Sequence, residues 1–213
     1  MKNNDSISIA VIKRLPRYYR YLTDLAAHGI DKVSSTELSR RMGLTASQIR
    51  QDLNCFGDFG RKGYGYNVES LRAEIGAIFG IGNNYSAIMI GAGNLGHALA
   101  NHFDFKKRGV HLAGIFDIRR EIVGESISGL TIKHMDQVEA FCKENKPDIA
   151  ILTVPKTEIR PTVARLTACG VNAFWNFAGL DLHLEFPNAQ VENVHMGDSL
   201  MSLCYKIANK KDI

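Results

Sequence analysis

Apolar and polar positions alternate with a helical period through the first part of the chain. From Ser6 to His28 the apolar side chains recur at steps of three and four, which predicts one helix, with Pro16 permitting a break and a restart. Two capping boxes follow, Ser34-Ser35-Thr36-Glu37 and Thr45-Ala46-Ser47-Gln48, and each predicts the start of a short helix. Gly43 lies between them. A long helix and two short helices joined by a glycine-containing turn are typical of a helix-turn-helix unit.

A glycine-rich segment with two adjacent cations follows the predicted helix pair. It reads Phe56-Gly57-Asp58-Phe59-Gly60-Arg61-Lys62-Gly63-Tyr64-Gly65-Tyr66-Asn67-Val68. Glycine permits a tight hairpin, and arginine or lysine is attracted by the negative potential of a narrow minor groove. This composition favours a wing that contacts DNA, and an ordinary glycine-rich connector is the alternative.

The second helix of such a unit contacts base edges with its N-terminal residues, so this helix and the wing supply the predicted DNA-contacting residues. They are Ser47, Arg50, Gln51, Arg61, Lys62, Gly63, Tyr64, Gly65 and Tyr66. Charge is consistent with this prediction. Residues 1–80 contain 12 Lys+Arg and 8 Asp+Glu, whereas residues 81–213 contain 14 of each, so the whole basic excess of +4 lies in the first part. A solvated, slightly basic face is the alternative.

A dinucleotide-binding fingerprint begins the second part of the chain. The apolar run Ser86-Ala87-Ile88-Met89-Ile90 predicts a strand, and Gly91-Ala92-Gly93-Asn94-Leu95-Gly96 and a helical stretch follow it. The first glycine permits a tight turn, the second lets the backbone approach a pyrophosphate, and the third lets the helix pack on the strand. The next predicted strand, Val110 to Phe116, is followed by Asp117, where the fingerprint places the acid that binds ribose hydroxyls.

The acid at position 117 also predicts which dinucleotide binds. A carboxylate there repels the 2′-phosphate of NADP(H), so NADH and NAD+ are the expected cofactors. Arg119 and Arg120 follow directly and soften that preference.

Strands and helices continue to alternate after Asp117, which predicts a parallel, doubly wound sheet. The predicted elements are a helix near Met135 to Asn145, a strand at Asp148 to Val154, a helix near Glu158 to Ala168, and strands at Asn172 to Phe177 and Val191 to Val194. Ligands of such sheets bind outside the carboxyl ends of the strands. We therefore expect Thr153-Val154-Pro155 and Asn176-Phe177 to line the nicotinamide pocket, and ordinary turns at the strand ends are the alternative.

The last predicted helix, Asp198 to Asn209, has one apolar stripe formed by Leu200, Leu203, Cys204 and Ile207. The stripe packs either on its own sheet or on a second subunit, and DNA-binding proteins of this type are commonly dimers that face two half-sites. The predicted α/β chain thus has a winged helix-turn-helix domain at 1–80, a Rossmann domain at 81–196 and a C-terminal dimerisation helix at 197–213.

Composition excludes several other classes. The 213 residues are 45% hydrophobic and 23% charged, which is typical of globular proteins. No apolar run is long enough to cross a bilayer, and the first residues do not resemble a secretory signal, so we expect a cytoplasmic protein. The four cysteines form no Cys-x-x-Cys pair, so no metal site or disulfide framework is expected.

Several stretches together resemble the Rex redox-sensing transcriptional repressors of bacteria, in the same order and over essentially the whole chain. These are Thr45 to Gly60, Arg61 to Tyr66, the glycine fingerprint, Leu152 to Pro155, and Asn176 to Ala178. The resemblance implies a homodimer with a C-terminal helix swapped between subunits. It also implies repression at pseudo-palindromic operator DNA, with release when NADH rises relative to NAD+.

The chain departs from the Rex pattern at positions that bear on specificity. Gln51 stands where the family usually has Lys, Cys55 where it has Tyr, and Gly179 where it has Pro. In some members an Asp before the last helix pairs with an Arg of the first helix. The matching positions here are His195 and Arg20, so we hypothesise that Asp198, one turn later, supplies the carboxylate.

The main alternative function is an NAD-dependent oxidoreductase of the sugar dehydrogenase type, since one fold serves many functions. Val154-Pro155-Lys156 is similar to a motif of such enzymes. However, the nucleotide domain is expected to occupy the chain from about residue 85 onwards, and no residue set reads as a positioned proton donor. His97 and His102 are expected at the surface or in packing. A module for coenzyme A or FAD is the second alternative.

Overall fold

The computed structural model describes residues 7–55, 60–61 and 65–209, with residues 60 and 61 described by their backbone alone. The chain divides into two compact units, residues 1–82 and residues 83–213. Buried apolar clusters lie within each unit.

In its described residues, the first unit contains four helices and a three-stranded antiparallel sheet with the strand order β1-β3-β2. The elements are α1 Ile9–Ala27, β1 Lys32–Val33, α2 Ser35–Met42, α3 Ala46–Asn54, β2 Gly60–Arg61, β3 Gly65–Asn67 and α4 Val68–Ile78. Both predicted caps are confirmed. The Ser34 hydroxyl accepts the Glu37 amide at 3.0 Å, and the Thr45 hydroxyl accepts the Gln48 amide at 3.1 Å.

The first helix does not take the break that Pro16 permits. It is continuous from Ile9 to Ala27. Pro16 is exposed, whereas Leu15, Tyr18 and Leu22 are fully buried in one apolar cluster. Proline removes one intrahelical hydrogen bond, but burial on both sides of it holds the two halves of the helix on the same core.

The second unit is a seven-stranded sheet with helices on both faces. Its elements are β4 Tyr85–Ile90, α5 Asn94–His102, β5 Val110–Asp117, β6 Ser126–Ile127, β7 Leu130–His134, α6 Val138–Asn145, β8 Ile149–Leu152, α7 Ile159–Ala168, β9 Ala173–Asn176, β10 Gln190–Asn193 and α8 Met196–Ala208. The strand order is β10-β9-β8-β4-β5-β7-β6, and every neighbouring pair is parallel except β6 with β7. The predicted doubly wound parallel sheet is confirmed.

The alternating side chains of β4 explain why its sequence is an unbroken apolar run. Ala87 and Met89 belong to one buried cluster, and Ile88 and Ile90 belong to another. Successive strand residues point to opposite faces, so a strand covered on both faces is apolar throughout. This burial fixes the carboxyl end of β4, where the fingerprint glycines begin.

The strands β6 and β7 were not predicted from the sequence. Ile132 is the one fully buried side chain of β7, because this strand lies next to the edge strand β6. The short apolar pattern therefore gave no strand prediction. The helix expected from Met135 starts as a 3₁₀ turn at Met135–Gln137, and α6 begins at Val138.

The last helix, α8, starts two residues before its predicted start and carries its apolar stripe on the surface. The exposed fraction is 63% for Leu200, 52% for Leu203 and 61% for Ile207. Packing of this stripe on the sheet of its own chain, one of the two expectations, is therefore not seen in the described residues. Within those residues, no helix is long and apolar enough to span a membrane.

Candidate functional site

A cavity of about 490 Å³ opens at the carboxyl ends of the central strands. The chain proceeds from β4 to β5 on one side of the sheet and reaches β8 and β9 on the other, so the cavity lies where the strand order reverses. Its lining residues are Ile90, Gly91, Gly93, Leu95, Asp117, Ile118, Arg119, Met135, Thr153, Val154, Pro155, Glu158, Thr162 and Phe177.

Most of the predicted cofactor residues meet at this cavity, and four do not line it. The predicted residues in the lining are Gly91, Gly93, Leu95, Asp117, Thr153, Val154, Pro155 and Phe177. Ala92, Asn94, Gly96 and Asn176 are outside the lining. Ile90, Ile118, Met135, Glu158 and Thr162 line the cavity but were not assigned to it from the sequence. Ile90 and Ile118 are next to predicted residues along the chain. Tertiary packing brings the other three there, and no local motif marks them.

The glycines of the fingerprint have different physical roles. Gly91 has φ +101°, and a Cβ there would lie 2.8 Å from the carbonyl oxygen of Thr153. A Cβ on Gly96 would overlap the carbonyl oxygen of Gly91. At Gly93, by contrast, no described atom lies within 4 Å of the Cβ position. The close packing of the turn therefore requires glycine at positions 91 and 96. Gly93 leaves open space at the N-terminus of α5, where a pyrophosphate is favoured.

Asp117 is almost completely buried at the end of β5, and its carboxylate accepts four hydrogen bonds. The donors are the amides of Ala92 at 2.7 Å and Arg119 at 2.9 Å, and the guanidinium of Arg119 at 3.0 and 3.1 Å. Burial alone would raise the pKa of Asp117, but the Arg119 side chain and the two amides offset this, so the pKa lies below its ordinary value. The group is a carboxylate at neutral pH.

Thr153 connects the fingerprint turn to β8. Its hydroxyl lies 2.7 Å from the carbonyl oxygen of Gly91 and 3.1 Å from that of Ile90, so its one proton is donated to these two acceptors. The turn and the wall of the cavity that Val154 and Pro155 form are thereby fixed relative to each other.

The wall near the end of β9 is apolar and aromatic. Phe177 lines the cavity and packs edge-on against Trp175, with 4.7 Å between ring centroids. Trp175 is the only tryptophan of the chain. Its fluorescence is therefore expected to respond to a molecule that binds against Phe177.

The side chain of Asn176 makes hydrogen bonds within the protein. We therefore assign it to positioning the loop after β9, in place of the predicted cofactor contact. Its side chain is fully buried, donates to the Leu180 carbonyl at 2.7 Å and to the Asn193 side chain at 2.8 Å, and accepts the Ala178 amide at 2.9 Å. Asn193 donates in turn to Asp181 at 3.0 Å.

The same Asp181 carboxylate oxygen lies 3.1 Å from Nε2 of His195, the N-cap residue of α8. A continuous set of hydrogen bonds thus joins the loop after β9 to the start of α8. His195, one candidate for the switch with Arg20, therefore has a carboxylate partner in its own unit, and Asp198 lies in the first turn of α8.

In the first unit, α3 presents a polar face to solvent. Ser47, Arg50 and Gln51 are exposed on this face, as predicted for a helix that contacts DNA, and Nη1 of Arg50 donates to the Ser35 hydroxyl at 3.0 Å. On the opposite face, Ile49 and Leu53 are fully buried.

A buried carboxylate fixes α3 on α1. Asp52 is fully buried and accepts two hydrogen bonds from the guanidinium of Arg14, at 2.7 and 2.8 Å. It also accepts from the Tyr18 hydroxyl and the Gln48 side chain, each at 2.9 Å. Burial alone would raise the pKa of Asp52, but these hydrogen bonds hold it below its ordinary value. This cluster was not predicted from the sequence, although the helical pattern of α3 places the charged residue Asp52 on its apolar face.

Residues on both sides of the predicted wing tip form an antiparallel pair. β2 and β3 pair with Gly60 opposite Tyr66 and Arg61 opposite Gly65. Lys62, Gly63 and Tyr64 lie outside the described residues, as does the side chain of Arg61.

At the start of β3, Gly65 has φ +72°, and a Cβ there would lie 2.8 Å from the Val33 carbonyl oxygen. Tyr66 is only 8% exposed and belongs to the apolar cluster of the unit. Tyr66 is therefore a core residue of the first unit, and we remove it from the predicted DNA-contacting residues.

Within the described residues, no group of three His, Cys, Asp or Glu side chains is placed to hold a metal ion.

Two family models match the chain. Residues 6–54 match the model described as putative DNA-binding protein N-terminus, and residues 82–180 match the model described as CoA binding domain. The second model covers β4 to β9 and the cavity lining of the second unit, and its description names a different nucleotide from the one that the fingerprint predicts.

Curated relatives match over nearly the full length. The redox-sensing transcriptional repressor Rex of Clostridium perfringens is 46% identical over 213 residues, which is 100% of both chains. The protein of the same description from Thermoanaerobacter pseudethanolicus is 47% identical over 207 residues, covering 97% of this chain and 92% of the relative.

Solved structures of a Rex-family repressor called RSP have the same fold. The complex of RSP with β-NAD+ and operator DNA has a TM-score of 0.88 at 47% identity and covers 96% of this chain and 94% of that chain. The complex with β-NADH has a TM-score of 0.88 at 45% identity and covers 97% and 96%. Together with the fingerprint cavity and the helix-turn-helix unit, this similarity shows that the chain belongs to the Rex family of redox-sensing transcriptional repressors.

Proposed function

We propose that this chain is a DNA-binding transcriptional repressor that senses the NADH/NAD+ ratio and leaves its operator when NADH binds. The observation that carries the proposal is the pairing, in one chain, of an open glycine turn facing Asp117 with an exposed recognition helix held by a buried carboxylate. The first is suited to a dinucleotide and the second to the major groove.

Each part of the dinucleotide has a suitable partner in the cavity. The turn at Gly91 and Gly93 and the N-terminus of α5 accommodate the pyrophosphate, and Asp117 binds the hydroxyls of the adenine-side ribose. Thr153-Val154-Pro155 and Phe177 surround the nicotinamide. Asp117 favours this assignment over coenzyme A, because the adenine-side ribose of NADH keeps both hydroxyls as donors to a carboxylate, whereas coenzyme A carries a phosphate on its 3′ oxygen.

Discrimination between oxidation states follows from charge. When bound, the dinucleotide supplies a ring that is positively charged in the oxidised form and neutral in the reduced form. The apolar walls at Val154 and Phe177 disfavour the charged ring, because the ring would lose hydration where it lies against them. NADH is therefore expected to bind more tightly than NAD+.

On the DNA side, Arg50 is exposed on α3 and is expected to contact base edges. The wing residues Arg61 and Lys62 are expected from the sequence to contact phosphates. Ser47 and Gln51 share the exposed face of α3 and complete the contact set there. Gln51, in place of the usual Lys of the family, is expected to shift the operator preference.

A homodimer completes the proposal. The exposed stripe of α8 is suited to burial against a second copy, and the Rex resemblance implies that this helix is swapped between subunits. Two recognition helices related by a two-fold axis would read a pseudo-palindromic operator. A cytoplasmic location agrees with this role.

An NAD-dependent oxidoreductase is less consistent with the cavity. None of the described lining residues is a His, Lys, Tyr or Cys, which are common proton donors in hydride-transfer sites. His97 and His102 are on α5 and outside the lining. This supports a regulatory rather than a catalytic role.

The direct test of the cofactor assignment is a titration of the full chain that follows Trp175 fluorescence. NADH absorbs where tryptophan emits, so it is expected to quench Trp175 by energy transfer at micromolar or lower concentration. NAD+ lacks this absorption, so its binding is measured by displacement of NADH, which is expected only at much higher concentration. Coenzyme A and FAD are the comparison ligands. Tighter binding of either one than of NADH, or turnover of a sugar substrate with NAD+, would overturn the proposal.

A further inference from the structure

The side chain of Arg119 is hydrogen-bonded to Asp117, the acid to which the ribose of the proposed cofactor would bind. Its Nε lies 3.0 Å from one oxygen of Asp117 and its Nη2 lies 3.1 Å from the other, so the guanidinium spans the carboxylate. The amides of Ala92 and Arg119 take one further position on each oxygen. A ribose that binds to Asp117 must therefore compete with this guanidinium for acceptor positions.

Arg119 is also placed to bind an anionic group of a ligand in the cavity. Its side chain is 45% exposed and lines the cavity beside Asp117. The bonds to Asp117 use Nε and Nη2, which leaves Nη1 for a further acceptor. A guanidinium is well suited to phosphate, because it presents several N–H donors in one plane.

We propose that Arg119 sets the cofactor specificity, weakening NADH by covering Asp117 and admitting the 2′-phosphate of NADPH by pairing with it. The inference rests on the proposed dinucleotide function and deepens it. It runs against the usual rule that an acid at this place excludes a 2′-phosphate, since that rule assumes an uncovered carboxylate.

The neighbouring charges favour Arg119 over Arg120 for this role. Arg120 is 84% exposed and lies 3.9 Å from Asp136, which also pairs with His134 at 3.0 Å. Arg120 is thus directed to another carboxylate, and its hydrogen bonds do not include Asp117. Of these two arginines, Arg119 is the one that pairs with Asp117 in the cavity.

The test is one substitution with opposite effects on two ligands. Dissociation constants of NADH and NADPH are measured by Trp175 fluorescence for the full chain and for Arg119→Ala. NADPH is expected to weaken about tenfold, the worth of a charge-assisted phosphate contact, and NADH to strengthen about threefold. A change of the same sign for both ligands, or no change for either, would overturn the inference.

Two further variants test whether the Arg119–Asp117 pair itself, and not only positive charge near the cavity, determines the coenzyme preference. Arg120→Ala removes the same charge, and it is expected to leave NADH unchanged and to weaken NADPH less than Arg119→Ala does. An equal or larger NADPH loss would reject Arg119 as the determinant. In an Asp117→Asn background the gain in NADH affinity from Arg119→Ala should disappear, and a gain that persists would contradict competition for Asp117.

The unsubstituted chain distinguishes this inference from the proposed function. Binding of NADH but no saturable binding of NADPH would overturn the role of Arg119 and leave the redox sensor intact. Binding of neither coenzyme would overturn the proposed function itself.

Discussion

At the scale of single residues, Asp52 connects stability to the placement of the recognition surface. We predict that Asp52→Asn lowers the free energy of unfolding by about 3 kcal/mol, because it leaves the partly buried guanidinium of Arg14 without its counter-ion. Urea unfolding measures the effect. Glu69→Gln, which breaks the exposed ion pair with Arg72, is the matched control and should change little. Equal effects of the two variants would contradict the account.

The same carboxylate predicts a pH dependence. The pKa of Asp52 is lower in the folded protein than its ordinary value, so its stabilisation is present above the unfolded pKa of about 4 and is lost as pH falls through the folded pKa. The gap in unfolding free energy between the unsubstituted chain and Asp52→Asn should therefore narrow below about pH 4. A gap that stays constant from neutral to acidic pH would show that the charge of Asp52 does not carry the effect.

Two glycines of the fingerprint should respond differently to the same methyl group. Gly96→Ala forces a Cβ onto the Gly91 carbonyl and should destabilise the protein by about 1–3 kcal/mol. Gly93→Ala meets open space, so it should fold normally but weaken NADH by about tenfold, because the methyl group occupies the approach of the pyrophosphate. Thermal unfolding and an NADH titration measure the pair. Normal NADH binding by Gly93→Ala would contradict the assigned pyrophosphate site.

At the scale of elements, α8 makes the prediction about assembly. Leu203→Glu should convert the proposed homodimer to monomer, because it places a charge in the middle of the exposed stripe. Lys206→Glu, a change at a polar position of the same helix, is the control and should leave the dimer intact. Sedimentation velocity measures the mass. A monomeric unsubstituted chain, or a dimeric Leu203→Glu, would contradict the role of α8.

Elements with a local signature were predictable from the sequence. Ser34 and Thr45 cap their helices through the next few residues, and the fingerprint glycines followed by Asp117 specify a strand, a turn and a helix. These features depend on neighbours in sequence, so a single chain reveals them.

Features that depend on distant partners were not predictable. Asp52 pairs with Arg14, which is 38 residues away along the chain. Met135 lies at the cavity because β7, which has a single fully buried side chain, pairs with β5 in the sheet. Tyr66 looked like a wing residue from its glycine neighbours, whereas long-range packing buries it. Sequence patterns therefore located the site and left its supporting contacts to the structure.

At the scale of the whole molecule, the proposal requires that two units of one chain influence each other. Coupling between binding sites is reciprocal, so the factor by which NADH weakens operator binding equals the factor by which operator DNA weakens NADH binding. The hydrogen bonds from Asn176 through Asn193 and Asp181 to His195 provide a physical connection from the cavity loop to α8 within the second unit.

The most direct measurement of the central claim is fluorescence anisotropy of a labelled operator duplex at fixed salt concentration, with the RSP operator as the first probe. Saturating NADH is expected to raise the dissociation constant for the duplex by about tenfold or more, and NAD+ to change it far less. The same affinity for the duplex with and without saturating NADH would contradict the account.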